Sequence, residues 1–228
     1  MVKFFNNNHT EFLSEINKFV VWCDQNFLDL NVSKTKEMVI DFRTKREAPP
    51  PVILKGSEVD RVKSFKYLGV VFDDMLNWKE NTNSLIKKVN TRFYCFNKLK
   101  SFKISKHLLQ MFYSSVISGV LSFGLTSWGG NISKGDSVRF NRLVKKAGKI
   151  IGESQDSIEI TYNVKAQNKL TKIINDETHP LHTTFDTCRA VRSGRFRIPK
   201  VKTNRFLNSF VPRAMKIFNS NYSRSDNV

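Results

Sequence analysis

From His9 to Phe27, apolar residues fall at Phe12, Ile16, Phe19, Val20, Cys23 and Phe27. Those separations are helical and predict an amphipathic helix laying one stripe on a core. Asn31, Ser33 and Thr35 break the pattern. Met38, Ile40 and Phe42 then alternate with Glu37, Val39 and Asp41, which predicts a strand with one dry face. Arg43 to Glu47 and Pro49-Pro50-Pro51 form a charged, stiff connection. Val52-Ile53-Leu54 and Val62 to Phe72 predict two more strands around the polar turn Lys55-Gly56-Ser57. The first 75 residues thus predict a helix laid on a small, mainly antiparallel sheet.

After Trp78 the period turns helical and stays so. Leu85, Ile86, Val89, Phe93, Phe96 and Leu99 mark one helix, with Lys87, Lys88, Arg92, Lys98 and Lys100 elsewhere on it. Ser105 suits the N-cap of a second helix carrying Leu108, Leu109, Phe112, Val116 and Ile117. A third, from about Asp136 to Ile151, places Val138, Leu143, Val144, Ala147 and Ile150 inward. Its outward positions are Arg139, Arg142, Lys145, Lys146 and Lys149. A bundle buries such apolar faces. A short helix over Ile158 to Ile174 and loops follow, and the tail reads as irregular. The fold class expected is α+β, in three regions: 1–75, 76–152 and 153–228.

Charge sharpens this division. The chain of 228 residues carries 38 Lys+Arg against 20 Asp+Glu, a formal net charge of +18. Residues 1–84 balance 12 basic against 12 acidic, so the whole excess lies in residues 85–228, with 26 against 8. A field of that size attracts polyanions, and nucleic acid is the expected partner. The tail is the extreme case: Arg189, Arg192, Arg195, Arg197, Lys200, Lys202, Arg205 and Arg213 without one acid between them. Phe196, Phe206 and Phe210 are interleaved with these charges. Arginines on phosphates with aromatics for base stacking is the composition of a single-strand or RNA contact. The same Phe residues could equally dock the tail on the bundle.

Other classes are excluded. The near-apolar run Val116 to Trp128 is short for a bilayer, and Met1 to Phe12 has no apolar signal core. No membrane partner is therefore expected, and the chain is expected inside the cell, in nucleus or cytoplasm. Three cysteines, at 23, 95 and 188, suit a reduced compartment rather than a disulfide framework. Asp73-Asp74 ends an apolar strand, yet a two-metal site needs a further carboxylate from a neighbouring strand. The pair reads as a turn. His179, His182, Asp186 and Cys188 match no zinc spacing, and neither of these two histidines has an acidic residue two positions on, as an iron oxygenase would need. Phosphate-binding glycine loops and nucleophile elbows are absent from the sequence. No cofactor is expected.

In order, the motifs resemble the C-terminal end of the reverse transcriptase of non-LTR (LINE-type) retrotransposons. The likeness runs from about residue 12 to 218, beginning with Val21-Trp22-Cys23-Asp24 and continuing through Leu30-Asn31-Val32-Ser33-Lys34-Thr35-Lys36-Glu37-Met38. Phe65-Lys66-Tyr67-Leu68-Gly69 looks like the primer-grip hairpin. Leu76-Asn77-Trp78 and the basic helices behind it look like the thumb. Arg192-Ser193-Gly194-Arg195 and Arg205 to Pro212 look like the ends of such elements. The resemblance implies a truncated palm-like region, a thumb-like region and a basic C-terminal region. It also implies that Lys34, with Lys36 beside it, is the counterpart of the lysine assisting pyrophosphate departure, and that Phe65, Tyr67, Leu68 and Gly69 press on a primer strand. The contacts expected from the thumb and tail are Lys87, Lys88, Arg92, Arg142, Lys145, Lys146, Arg192, Arg195, Arg197 and Arg205.

The family's aromatic-Ala-Asp-Asp loop should precede Phe12, where this chain has Met1 to Thr10. No polymerase activity is therefore expected, only nonspecific binding of RNA or primer–template. A shorter resemblance, over Asn90 to Leu99 and Lys106 to Leu109, is to the N-terminal helical segment of the eighth AlkB homologue (alkylated DNA repair protein). It implies that family's name without its oxygenase or methyltransferase domains. A remnant with no cellular role is the remaining reading.

Overall fold

The computed structural model describes residues 10–43 and 49–225. Position His9 and most of the predicted connection Arg43 to Glu47 lie outside the described residues. The chain is α+β and divides into two compact units, Met1–Leu76 and Asn77–Val228. Residues 153–225 therefore share a unit with the helices that precede them.

In the first unit, α1 (Thr10–Gln25) presents Phe12, Ile16 and Val20 to a cluster of buried Val52, Leu54 and Val59. The predicted stripe is only partly buried. Cys23 is covered, but Phe19 is half exposed and Phe27, at φ 55° beyond the helix end, is almost fully exposed. The strands are shorter and more separate than expected. β1 (Lys36–Glu37) and β4 (Asp60–Arg61) pair in parallel, β2 (Ile53–Leu54) and β3 (Ser57–Glu58) antiparallel, and β5 (Ser64–Tyr67) and β6 (Val70–Asp73) antiparallel. These are three two-stranded ladders, not one sheet. The alternation from Met38 to Phe42 forms no strand. The predicted single strand Val62 to Phe72 folds back on itself, because Leu68 and Gly69, both at positive φ, make a two-residue hairpin turn.

In the second unit, α2 (Lys79–Ser101) buries Leu85, Val89, Phe93 and Phe96 at helical spacing. α3 (Lys106–Phe112) runs into a π-turn over Tyr113–Ser118, then α4 (Gly119–Leu121) and α5 (Leu125–Trp128). Leu108, predicted inward, is half exposed. The helical run Lys106–Asn131 contains an 18-residue stretch with a mean hydropathy of 1.5 and is long and apolar enough to cross a membrane by length and composition. It is longer than the Val116 to Trp128 run that stands out in the sequence. Among the described residues it is a single, marginal candidate: Gly124, at φ 61°, breaks it, and Leu109, Tyr113, Ile117, Leu121, Leu125 and Trp128 are buried within the unit.

α6 (Lys134–Ile151) starts at Ser133, whose hydroxyl accepts from the Asp136 amide, and ends at a left-handed Gly152. Its buried face is Phe140, Leu143, Val144, Ala147 and Ile151, while Val138, predicted inward, is half exposed. α7 (Ile158–Ile174), capped by Ser157, has the predicted bounds. α8 (His182–Asp186), α9 (Asn204–Leu207) and α10 (Phe210–Ser225) complete the unit. Leu170 and Ile173 of α7, Phe185 of α8, Phe196, and Ala214 and Met215 of α10 form one buried cluster. The tail is thus folded onto the bundle, not irregular.

Candidate nucleic-acid interface

In the first unit, Asn31 accepts through Oδ1 from the Lys34 amide at 3.0 Å and fixes a short 3-10 turn over Val32–Lys34. The Lys34 side chain is exposed. Lys36 is committed within the protein: its Nζ reaches Asp60 Oδ2 at 2.5 Å and the Ser33 carbonyl at 3.1 Å. The hydrogen bond from Lys36, then its charge, hold the Asp60 carboxyl below its usual range. The β5–β6 hairpin shows Phe65 and Tyr67 on one face, 41% and 59% exposed, with Leu68 at its tip. Leu68 at φ 46° is unusual for a leucine. Asp73 is buried, and its carboxylate accepts from the Met75 amide at 3.0 Å, so the Asp pair shapes a turn.

In the second unit, α2 and α6 pack together, pinned at two points. Arg139 Nη2 donates to Asn83 Oδ1 at 2.8 Å, and Lys146 Nζ lies 4.6 Å from the centre of the Phe93 ring. Lys87 is four residues beyond Asn83, and Arg142 three beyond Arg139, so each lies about one turn along its helix from that contact, on the solvent-facing side. Lys149 continues the α6 face one turn past Lys146. Lys87, Arg142 and Lys149 are exposed and meet no carboxylate among the described residues. Lys145, three residues beyond Arg142, is exposed on the same solvent-facing side of α6, and Lys88 is half-buried. Ion pairing is spent elsewhere, as in Lys106–Glu153 and Arg139–Asp136.

Arg92 is not part of that surface. It is half-buried and donates through Nη1 to the Val116 carbonyl inside the π-turn. A π-turn interrupts the regular helical ladder, and a carbonyl there needs an outside donor. Arg92→Ala is expected to cost about 1–3 kcal/mol in urea unfolding, because that carbonyl is left without its charged partner. The same substitution should leave nucleic-acid affinity within about twofold. Weakened binding at unchanged stability would instead put Arg92 on the interface.

In the tail, Arg192, Arg195 and Arg197 are exposed on a hairpin, whereas Arg205 is half-buried and its carbonyl accepts from Asn131 Nδ2 at 3.2 Å. The interleaved aromatics divide. Phe196 is buried among Phe185 and Phe218, and Phe210 packs edge-on against Phe185. Phe206 stays half exposed. The sequence reading left out Lys149 as a site residue and could not find Asn219, which clamps Phe196 from 23 residues away. No local signal marks that asparagine.

Near the start of α7, burial pushes the Glu159 carboxyl up, but hydrogen bonds from Ser137 and Asn141 outweigh it and hold the group below its usual range. This carboxylate is therefore tied to α6 and does not oppose the basic seam. His179 Nδ1 accepts from the Leu181 amide at 3.1 Å, a turn contact. Among the described residues, no three His, Cys, Asp or Glu side chains gather closely enough to hold a metal ion. Comparisons with protein-family models, with curated proteins and with solved structures give no match to this chain.

Proposed function

We propose that this chain is a reverse-transcriptase-derived protein that binds RNA or primer–template through its second unit and does not polymerise. One observation carries this reading: the α2–α6 seam presents Lys87, Arg142 and Lys149 to solvent without a carboxylate partner, beside Lys146. Cations held side by side without counter-charge release the counterions of a phosphate backbone on binding. Nothing in such a seam reads bases, so binding is nonspecific. The exposed Phe65, Tyr67 and Leu68 hairpin of the first unit supports the kinship, since the motif it resembles presses on a primer strand.

The test is fluorescence anisotropy of a labelled RNA with the whole purified chain across a salt series. Three phosphate contacts give a slope of roughly −2 to −3 in log affinity against log salt, hence a loss of roughly 16- to 64-fold from 50 to 200 mM. With Mg²⁺ and nucleotides added, a bound primer should not be extended. Affinity that ignores salt, or primer extension, would overturn this reading.

A further inference from the structure

Residues 188–197 form a hairpin that the interface just described does not use. The Ala190 amide donates to the Arg195 carbonyl at 2.8 Å, the Arg197 amide to Cys188 at 2.8 Å, and the Gly194 amide to Ala190 at 2.9 Å. Arg189 and Phe196 face each other across the bridge. The second arm is held on its other edge as well. Asn219 of α10 accepts from the Phe196 amide at 2.9 Å and donates to its carbonyl at 2.8 Å, as a neighbouring strand would. Phe196 points into the cluster of Phe185 and Phe218. Gly194 turns the chain at φ 65°, and a Cβ there would lie 3.0 Å from the Tyr222 hydroxyl.

The result is a braced ribbon with a distinctive outside. Because Phe196 faces inward, Arg195 and Arg197 face outward. Arg189, Arg192, Arg195 and Arg197 are all exposed, and none meets an acceptor or carboxylate among the described residues. The tip residue, Val191, is 98% exposed. Unpaired guanidinium groups on a preorganised scaffold suit phosphates, which they grip in a fixed planar geometry. The aromatics are committed to the core, so this ribbon offers no platform for stacked single-stranded bases.

We propose that the 188–197 hairpin is a duplex-DNA-binding ribbon, whose arginines hold the phosphates on either side of a groove while Val191 enters it. This rests on the nucleic-acid reading above and names a ligand class for a different surface. A two-stranded ribbon fits the major groove of B-form DNA, whereas the deep, narrow major groove of an RNA duplex excludes it. The part beyond Phe196 extends about two residues per arm, roughly 7 Å. That is close to the groove depth of about 8.5 Å. The arms of the ribbon supply charge, and the aliphatic tip supplies contact without hydrogen-bond demands.

The experiment compares the whole chain with R192Q/R195Q/R197Q and with Asn219→Ala. The probes are a 20-base-pair DNA duplex, an RNA duplex of the same length, and single-stranded RNA, each over a salt series. Three lost phosphate contacts lower the slope on duplex DNA by about 2 to 3 and weaken binding at least tenfold at 100 mM salt. The substituted arginines are exposed and make no side-chain hydrogen bond or ion pair among the described residues, so this variant should melt with the parent. Asn219→Ala keeps every charge but loosens the ribbon, and should weaken duplex-DNA binding roughly three- to tenfold. Unaltered duplex-DNA binding by the triple variant overturns the ribbon and leaves the α2–α6 reading standing. A parent chain that binds no nucleic acid overturns both. Equal losses on all three probes overturn the groove assignment.

Discussion

Replacing Gly130 by alanine is expected to destabilise the second unit by about 3 kcal/mol, the upper end for forcing atoms into a packed site. A Cβ at this position would lie 2.0 Å from the backbone carbonyl oxygen of Asn208 and 3.3 Å from the Tyr162 hydroxyl. The nearest obstacle is backbone, so no rotamer change relieves it. The segment around Gly130 also joins the tail to the bundle. Arg213 donates through Nη1 to the Gly130 carbonyl at 3.1 Å, its guanidinium lies 4.4 Å from the Tyr162 ring centre, and Asn131 bonds the Arg205 carbonyl. Alanine must push residues 205–213 away and strain all three contacts together. Urea unfolding measures the loss, and hydrogen exchange in α10 should rise with it. Unchanged stability with α10 still protected would show that the two backbones do not approach this closely.

Trp128→Ala should cost more, about 4 kcal/mol, within the range for truncating a fully buried aromatic. Trp128 has no exposed surface, its indole Nε1 donates to the Phe123 carbonyl at 2.9 Å, and its ring lies 5.6 Å from that of Phe140. Alanine leaves a cavity beside Phe140 and an acceptor without its donor. Trp128→Phe separates the two effects, since it keeps most of the volume and loses the hydrogen bond, for about 1 kcal/mol plus a smaller cavity term. A domain's whole stability is only about 5–15 kcal/mol, so the alanine variant removes a large part of it. A midpoint in urea unmoved by Trp128→Ala would contradict the packing described here.

The elements legible in the sequence were those whose local and tertiary signals agree. α7 combines a Ser157 cap with apolar positions at Ile158, Tyr162, Ala166, Leu170 and Ile173, and its bounds could be read directly. α2 and α6 were legible in the same way, apart from Val138, because an apolar residue on a helix flank adds to the pattern without being covered. The π-turn at Tyr113–Ser118 was hidden, since one extra residue in a turn rephases the faces without changing composition. That also concealed the role of Arg92, which reads as surface charge until its carbonyl partner is known.

The β region failed differently. Met38, Ile40 and Phe42 alternate as a strand should, but alternation does not supply a partner strand. In the tail, sequence could not divide phosphate contact from docking because arginine and phenylalanine alternate. The fold divides them by burying Phe196 and turning Arg195 and Arg197 outward. Of the candidate contacts, Lys87, Arg142 and Lys145 stand exposed as predicted. Lys36 and Arg92 are occupied by partners 24 residues away in each case, a distance at which no local pattern speaks.

The uneven distribution of buried side chains has a calorimetric consequence. In the first unit a small cluster of Val52, Leu54 and Val59 stands under one helix, with paired strands in separate twos. The second unit closes over several fully buried aromatic side chains, among them Trp128, Phe93, Phe96 and Phe140. Each unit encloses its own core, so each unfolds with its own enthalpy and its own heat-capacity step. Two-state analysis is not expected to hold for such a chain, and scanning calorimetry should resolve a small, early peak and a larger, later one.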